Sequence, residues 1–486
     1  MALTATGMLI LIALANVGGA KGGGQTSTGS SPPTTIPTPS SPPPSASTAQ
    51  PLASHPQPCN YTVSLNGTSP VATGASGARS ASSSDIGAFL DSLLSSHETI
   101  CLSAALYSEA TSIQISDMVG VTLRLDPGAV VNATSSVRFL QSVVLVSGSP
   151  KTVIQGGQWV GPERGKSSVI RIQSGSNGTV VRGADISKAG WDGILVYDVP
   201  GRSYGVEATG NYLHSNGRYG FQEYANASAG MMGTVVSDNR VLDNKVGGIY
   251  TNGVEGVTIV GNVVANTQGD GPGKIGIGVT NGSHETVTAN QVSRMAWFGI
   301  QAYYANYTDI SSNVSTSNAG GEDQSGITND HSSHDTIVGN TVESNGDYGV
   351  YVERSWDVTI RGNVANGNLG YGIALNHGSI PTMGRSSIEG NSCSYNGLGG
   401  IILNSAVENT ISGNLCMSNS GDGILLYNDP GQIGSVGNMV SGNWLGNQGN
   451  ITQIIGVREA NQSGNNTVAA NETPDDGAAS LSLLSG

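Results

Sequence analysis

Aromatic residues make up only 5% of this 486-residue chain, with four phenylalanines and five tryptophans. An interior built on aromatic layers is excluded, so small and branched side chains must fill it. Charge is also sparse, at 11% of residues, and the net balance is −14. That sign argues against nucleic acid or an anionic membrane as partner. An acidic polysaccharide is still admissible, because the local charge of a groove matters more than the total. Cysteine occurs four times, without the Cys/His spacing of a zinc or redox site. No apolar run is long enough to cross a bilayer as a helix.

The stretch from Met8 to Ala15 is apolar and small residues follow it. Residues 1–20 therefore resemble a secretory signal peptide, although the cationic start is missing. Residues 21–58 are rich in Ser, Thr and Pro and read as a mucin-like linker. Twelve Asn-x-Ser/Thr sequons occur, Asn60, Asn132, Asn226, Asn306 and Asn450 among them. These features predict a secreted or cell-surface glycoprotein. The cysteines suit that compartment, and Cys59 and Cys101 can staple the region between them.

Glycine, by contrast, occurs 71 times and keeps a rhythm. Gly followed by an apolar residue recurs from Gly193-Ile194 to Gly423-Ile424 in steps of 23, 27 or 28 residues. Asparagine interleaves with it, from Asn211 through Asn239, Asn262 and Asn290 to Asn414. A second asparagine column follows five residues later, at Asn216, Asn244, Asn318, Asn345, Asn368, Asn396 and Asn419. Such a period marks a solenoid. Short runs with period-two alternation make each repeat a coil of strands, not of helices. The chain is thus predicted to be all-β, a parallel β-helix with coils of about 23 residues. Asparagine is at home in such turns, which accounts for some of the sequons without glycosylation.

The expected divisions are a cap region at 59–105, the β-helix at 106–465 and a polar tail at 466–486. Within the cap, Asp85 to Leu94 carries apolar residues at helical spacing after serine caps, a short helix covering the open first coil. Cys393 and Cys416 fall in adjacent coils, where a disulfide or two packed thiols would fit equally.

Insertions flank the Gly-Ile strand on both sides, at 267–274, 319–325 and 379–385 among others, and predict a walled groove over its outer face. Alternation turns the second and fourth residues after each glycine outward. The fourth-position column contains Tyr197, Tyr224, Tyr303, Asp330, Glu353, Asn376 and Tyr427. Gln301 and Tyr351 stand in the second-position column, and Tyr304, His331, Arg354 and His377 in the fifth. Tyr303/Tyr304, Asp330/His331, Glu353/Arg354 and Asn376/His377 thereby bring acid, base, cation and phenol together over four consecutive coils. The plainer alternative is an ordinary polar outer face. Tyr197, Tyr224 and Tyr427 are candidate sugar platforms, whereas His284 and His334 fall at turns and read as structural. Glu223 and Asn329 stand at nominally inward positions, as interior hydrogen-bonding groups or at a bulge. Asp270, Glu322 and Asp323, with Asp330, offer hard oxygens for Ca²⁺, or are simple surface acids.

The coils, together with the segments Thr99 to Tyr107 and Val121 to Gly128, resemble the pectin-lyase-like superfamily of right-handed β-helix proteins. Ser215 to Tyr224 is also similar to a mannuronan C5-epimerase strand. Tyr219, Gly220 and Phe221 match it, while Gln222 and Tyr224 replace its catalytic Asp and His. The Asp-Asp and Gly-His-Gly motifs of polygalacturonases are absent. The superfamily hosts lyases, hydrolases, epimerases and binding proteins, and the reading expected here is a lyase or C5-epimerase acting on a uronate-containing polysaccharide. In that chemistry Arg354, with Asn376 or His377, would neutralise the carboxylate. His331, oriented by Asp330, would be the base and Tyr303 or Tyr304 the donor. A glycoside hydrolase would instead use Asp330 and Glu353, and a non-catalytic glycan-binding rod would need none of them.

Overall fold

Branched apolar residues that alternate with polar ones form strands with one buried and one exposed face. In the strand Ile194–Tyr197, Ile194 and Val196 are buried while Leu195 and Tyr197 face outward. The computed structural model describes residues 58–483, apart from 75–76, 82, 135–141, 199–200, 226–231, 268–272, 320–323, 378–383, 429–433, 448–452, 454, 461–462 and 474–478. The expected signal peptide, nearly all of the 21–58 linker, the sequons at Asn226 and Asn450, and most of the groove-walling insertions lie outside the described residues. So do Asp270, Glu322 and Asp323, three of the proposed Ca²⁺ ligands. The chain divides into Met1–Pro56 and Gln57–Gly486, and all the described strands belong to the second unit.

The strands stack into sheets of 18, 15, 10 and two members. Among the described residues, pairing is parallel throughout the coils, with antiparallel pairs confined to Tyr61–Asn66, Ser69–Gly74 and Gly77–Ser80. Parallel pairing joins Thr99–Leu102 to Thr122–Leu125 and, at the other end, Ile455–Glu459 to Ala479–Leu483. Rungs thus extend past both limits expected for the coils. Successive asparagines of the ladder are 23, 27, 28 or 29 residues apart, so 23 is the shortest coil and longer ones carry insertions at the turns.

Asparagine sets this register. Asn340 Nδ2 donates to Asn363 Oδ1 at 3.0 Å and to the Ile310 carbonyl at 2.8 Å, while its own Oδ1 accepts from the Asn313 backbone at 2.9 Å. The same pattern runs along the column from Asn211 to Asn471. A second buried ladder joins Asn318, Asn345, Asn368, Asn396 and Asn419. Buried amides satisfied in this way hold neighbouring coils in one alignment. The glycine column has a steric origin. At Gly276 a Cβ would lie 2.3 Å from Val292 Cγ1 and 2.5 Å from the Gly299 carbonyl oxygen.

The helix is Ile86–Asp91, and its N-cap is Asp85, not the serines before it. Asp85 Oδ1 accepts from the Gly87 amide at 3.1 Å, and Ile86, Phe89 and Leu90 are buried. A carboxylate serves the helix N-terminus better than a hydroxyl because it also meets the helix dipole. Cys59 and Cys101 form a disulfide, whereas Cys393 and Cys416 are buried free thiols. Burial and the neighbouring Cys416 push the Cys393 thiol well above its ordinary value.

Candidate functional site

The strands Phe298–Tyr303, Ile327–Asp330, Val350–Glu353 and Tyr371–Asn376 follow one another in the 15-stranded sheet. Their register sets Tyr303 against Asp330, Asp330 against Glu353, and Glu353 against Asn376. Four residues remote in sequence therefore share one row, about 14 Å long at the strand spacing. Gln301 and Tyr351 lie in the adjoining outward column, where Thr328 between them is buried. Asn376 Nδ2 donates to the Tyr351 hydroxyl at 3.2 Å, which ties the two columns together.

Beside this row the chain turns a corner at Tyr304, His331 and Arg354, with φ of 49°, 52° and 46°. Left-handed backbone at non-glycine residues costs about 1–3 kcal/mol each. It directs the three side chains to the outer edge of the row. The Tyr304 ring stacks on His331 at 4.6 Å, and Tyr303 meets the same imidazole edge-on at 5.9 Å. His331 Nδ1 lies 2.6 Å from Asp330 Oδ1, a close contact without hydrogen-bond alignment. Arg354 Nη2 is 3.1 Å from Glu353 Oε1.

The electrostatics follow from this crowding. Burial, then the Arg354 cation, hold His331 below its ordinary value against the opposing pull of Glu353. The imidazole is therefore neutral at pH 7 and can accept a proton. Burial, with Tyr304 and Asp330 nearby, pushes the Tyr303 phenol upward, with Arg354 opposing. That phenol stays protonated and can donate.

His377 does not belong to this face. It is fully buried, neither ring nitrogen has a hydrogen-bond partner, and burial lowers its pKa to about 4. The physical reason lies in the backbone: His377 does not take the left-handed turn of Tyr304, His331 and Arg354. Its side chain is enclosed and is not available as a substrate ligand. His284 and His334 stack on Tyr307 at 5.1 and 4.8 Å, forming a column at the turns. Glu223 and Asn329 are buried: Glu223 accepts from Thr234 at 2.9 Å, and Asn329 donates to Asp335 at 2.6 Å.

Tyr224 is in the same outward row as Tyr303 but three strands earlier, through Asn252 and Thr280. There it helps to line a cleft of about 390 Å³ together with Lys166, Arg171, Trp191, Tyr197 and Arg218. Sequence reasoning started its columns at Gly193 and so missed Arg171. Carrying the register one coil back, where Arg171 pairs with Leu195, would have found it.

Residues 109–264 and 247–394 match the family described as right handed beta helix region. The chain belongs to that family. No curated protein sequence matches this right-handed β-helix protein. Among solved structures it is similar to an Azotobacter vinelandii mannuronan C-5 epimerase A-module, at 13% identity and TM-score 0.39, covering 78% of this chain and 91% of that one. It is also similar to the Dettilon tailspike protein, at 15% identity and TM-score 0.46, covering 72% of this chain and 63% of that one. The catalytic unit of a Streptomyces thermodiastaticus GH87 α-1,3-glucanase matches at 10% identity and TM-score 0.41, covering 82% of this chain and 67% of that one. The functional reading of the β-helix protein rests on its own side chains.

Proposed function

We propose that this protein acts on a polysaccharide laid along the outer face of the 15-stranded sheet, with His331 and Tyr303 at the reacting unit. The observation that carries the reading is the register of Tyr303, Asp330, Glu353 and Asn376, with Tyr304, His331 and Arg354 on the corner beside them. A base held neutral and a phenol held protonated stand 5.9 Å apart, ring centre to ring centre. That pairing suits removal of a proton next to a sugar carboxylate.

In a lyase, the His331 imidazole takes the C5 proton, and the electron pair forms the C4–C5 double bond. The C4–O bond breaks, and the leaving oxygen takes a proton from the Tyr303 hydroxyl. In an epimerase the same carbanion is reprotonated from the opposite face, without bond cleavage. Arg354 lies at the corner where it can face the substrate carboxylate, and its pairing with Glu353 positions the guanidinium. Tyr351 and Asn376, already bonded to each other, supply polar contacts further along the row.

A hydrolase would draw on Asp330 and Glu353, which the register sets side by side at a separation suited to a retaining pair. Their engagement with His331 and Arg354 favours the proton-abstraction reading. Export of the protein is part of this proposal, and the Cys59–Cys101 disulfide suits an oxidising compartment. Among the described residues no helix is long and apolar enough to cross a membrane.

The test is a panel of acidic and neutral polysaccharides incubated with the purified protein. Chain shortening with a new ultraviolet-absorbing unsaturated end identifies the lyase, and solvent deuterium entering C5 identifies the epimerase. New reducing ends without unsaturation would replace this reading with the hydrolase. No change in any substrate would leave a glycan-binding rod.

A further inference from the structure

The cleft over the earlier coils has a composition that the His331 site lacks. Trp191 is flanked by two cations, with Lys166 Nζ at 4.8 Å and the Arg218 guanidinium at 4.9 Å from the ring centre. Arg171 lies 4.8 Å from the centre of the Tyr197 ring, and Tyr197 stacks on Tyr224 at 5.9 Å. Three cations and three aromatic rings thus converge in a protein whose net charge is −14.

Among the described residues, no carboxylate lies within ion-pairing distance of Lys166, Arg171 or Arg218. Arg218 Nη1 donates to Gln222 Oε1 at 3.0 Å, and that contact aims the guanidinium. The carboxyl on which Arg218 acts, Asp192, is buried and lies outside the cleft lining. Arg171 Nε is buried and has no hydrogen-bond partner. A half-buried guanidinium with an unmet donor calls for an anion to complete it.

We infer that this cleft is a binding site for an acidic sugar unit, one carrying carboxylate or sulfate. The exposed Tyr224 ring would offer its face to the sugar, and Lys166, Arg171 and Arg218, held against Trp191 and Tyr197, would take the anionic group. An apolar ring face next to an anion is the combination that a uronic acid or a sulfated sugar presents. A neutral sugar could offer Arg171 a hydroxyl acceptor but no charge to match the guanidinium. Tyr224 is three strands from Tyr303 in the same row, about 14 Å at the strand spacing. That is the span of a short oligosaccharide, so one chain can occupy both sites. The link to a reacting chain rests on the function proposed above; the binding of the acidic unit does not.

Titration of the intact protein, following Trp fluorescence and heat together, tests the assignment. The ligands are oligogalacturonate, a sulfated oligosaccharide and a neutral cello-oligosaccharide of equal length. Either anionic ligand is expected to bind at least about tenfold more tightly than the neutral one, about 1.4 kcal/mol. That preference should weaken with added salt. Whichever anionic arm binds more tightly identifies carboxylate or sulfate as the group held. Arg171→Gln is expected to remove most of the preference, as is Lys166→Ala, whose exposed position keeps it from disturbing the fold. Equal affinity for all three ligands, or unchanged anion affinity in both variants, would overturn the assignment. His331→Gln keeps the two questions apart: it should retain binding at the cleft while losing any chemistry. Tight anion binding by a native protein without turnover would end the proposed reaction and leave the cleft standing.

Discussion

The Tyr304 ring stacks on His331 one coil further along, with centres 4.6 Å apart and 27° between the planes. Tyr303 closes the imidazole from a second side, and burial, aided by Arg354 on the next coil, sets its electrostatics. The arrangement holds His331 neutral in a fixed position, which is what a general base needs.

His331→Gln should therefore lower any turnover by about 10²–10⁴-fold, the range for losing a positioned acid–base group. The unfolding midpoint should stay near that of the native protein, because the imidazole is partly exposed and makes no aligned hydrogen bond. Tyr303→Phe should give a loss of similar direction. Steady-state kinetics beside thermal unfolding separates this from a loss of fold.

The pH profile follows from the same group. The His331 pKa lies below its ordinary 6.5, so the active neutral form persists into mildly acidic solution. The acid limb of kcat/KM should fall below pH 6.5 and move upward in Arg354→Gln, where the cation that disfavours imidazolium is gone. An acid limb at or above pH 6.5 in the native protein would exclude His331 as the base.

Stability should fall as pH rises towards 8. Burial pushes Glu285 up to about 8 from an ordinary 4.5, and Asp335 up to about 7 from 3.8. The folded state then binds protons that the unfolded state has released. The stabilisation from Glu285 is complete below about pH 4.5 and lost as pH passes through about 8. Urea midpoints measured from pH 5 to pH 9 should decline, and Glu285→Gln should flatten the slope.

Asn340→Ala should destabilise strongly. It orphans the Asn313 amide and takes the ladder acceptor from Asn313 Nδ2, while the Ile310 carbonyl and Asn363 Oδ1 lose the Nδ2 donor that Asn340 supplied. Each buried group left unmet costs about 1–3 kcal/mol. Denaturant unfolding gives the magnitude, and a loss below about 1 kcal/mol would show that the ladder does not hold the register.

Reduction of Cys59–Cys101, which encloses a separation of 42 residues, should loosen the cap. The expected loss is about 2–4 kcal/mol, read from unfolding with and without a reductant.

Much of this architecture was legible in the order of residues. A fixed coil period makes the register a matter of counting, so Tyr303, Asp330, Glu353 and Asn376 could be placed in one row before any coordinates. The asparagine ladders follow in the same way, since an amide repeated at the coil period finds its partner directly above. Counting failed where the backbone left the strand. His377 sits in the same sequence position as Arg354 yet is buried, because the sign of φ at a corner is not carried by the period. The acidic interior was equally hidden. Period two marks Glu223 as inward, but only packing shows that Thr234 receives it and that burial raises its pKa.

The sequence by itself determined the repeat, the strand alternation and the row of outward side chains, because these depend on local spacing summed along one axis. Tertiary structure alone decided that the cations of Lys166 and Arg218 turn onto the Trp191 ring. Lys166 and Trp191 lie outside the strands, where strand alternation gives no side-chain direction, and their meeting depends on how the turns fold back over the sheet.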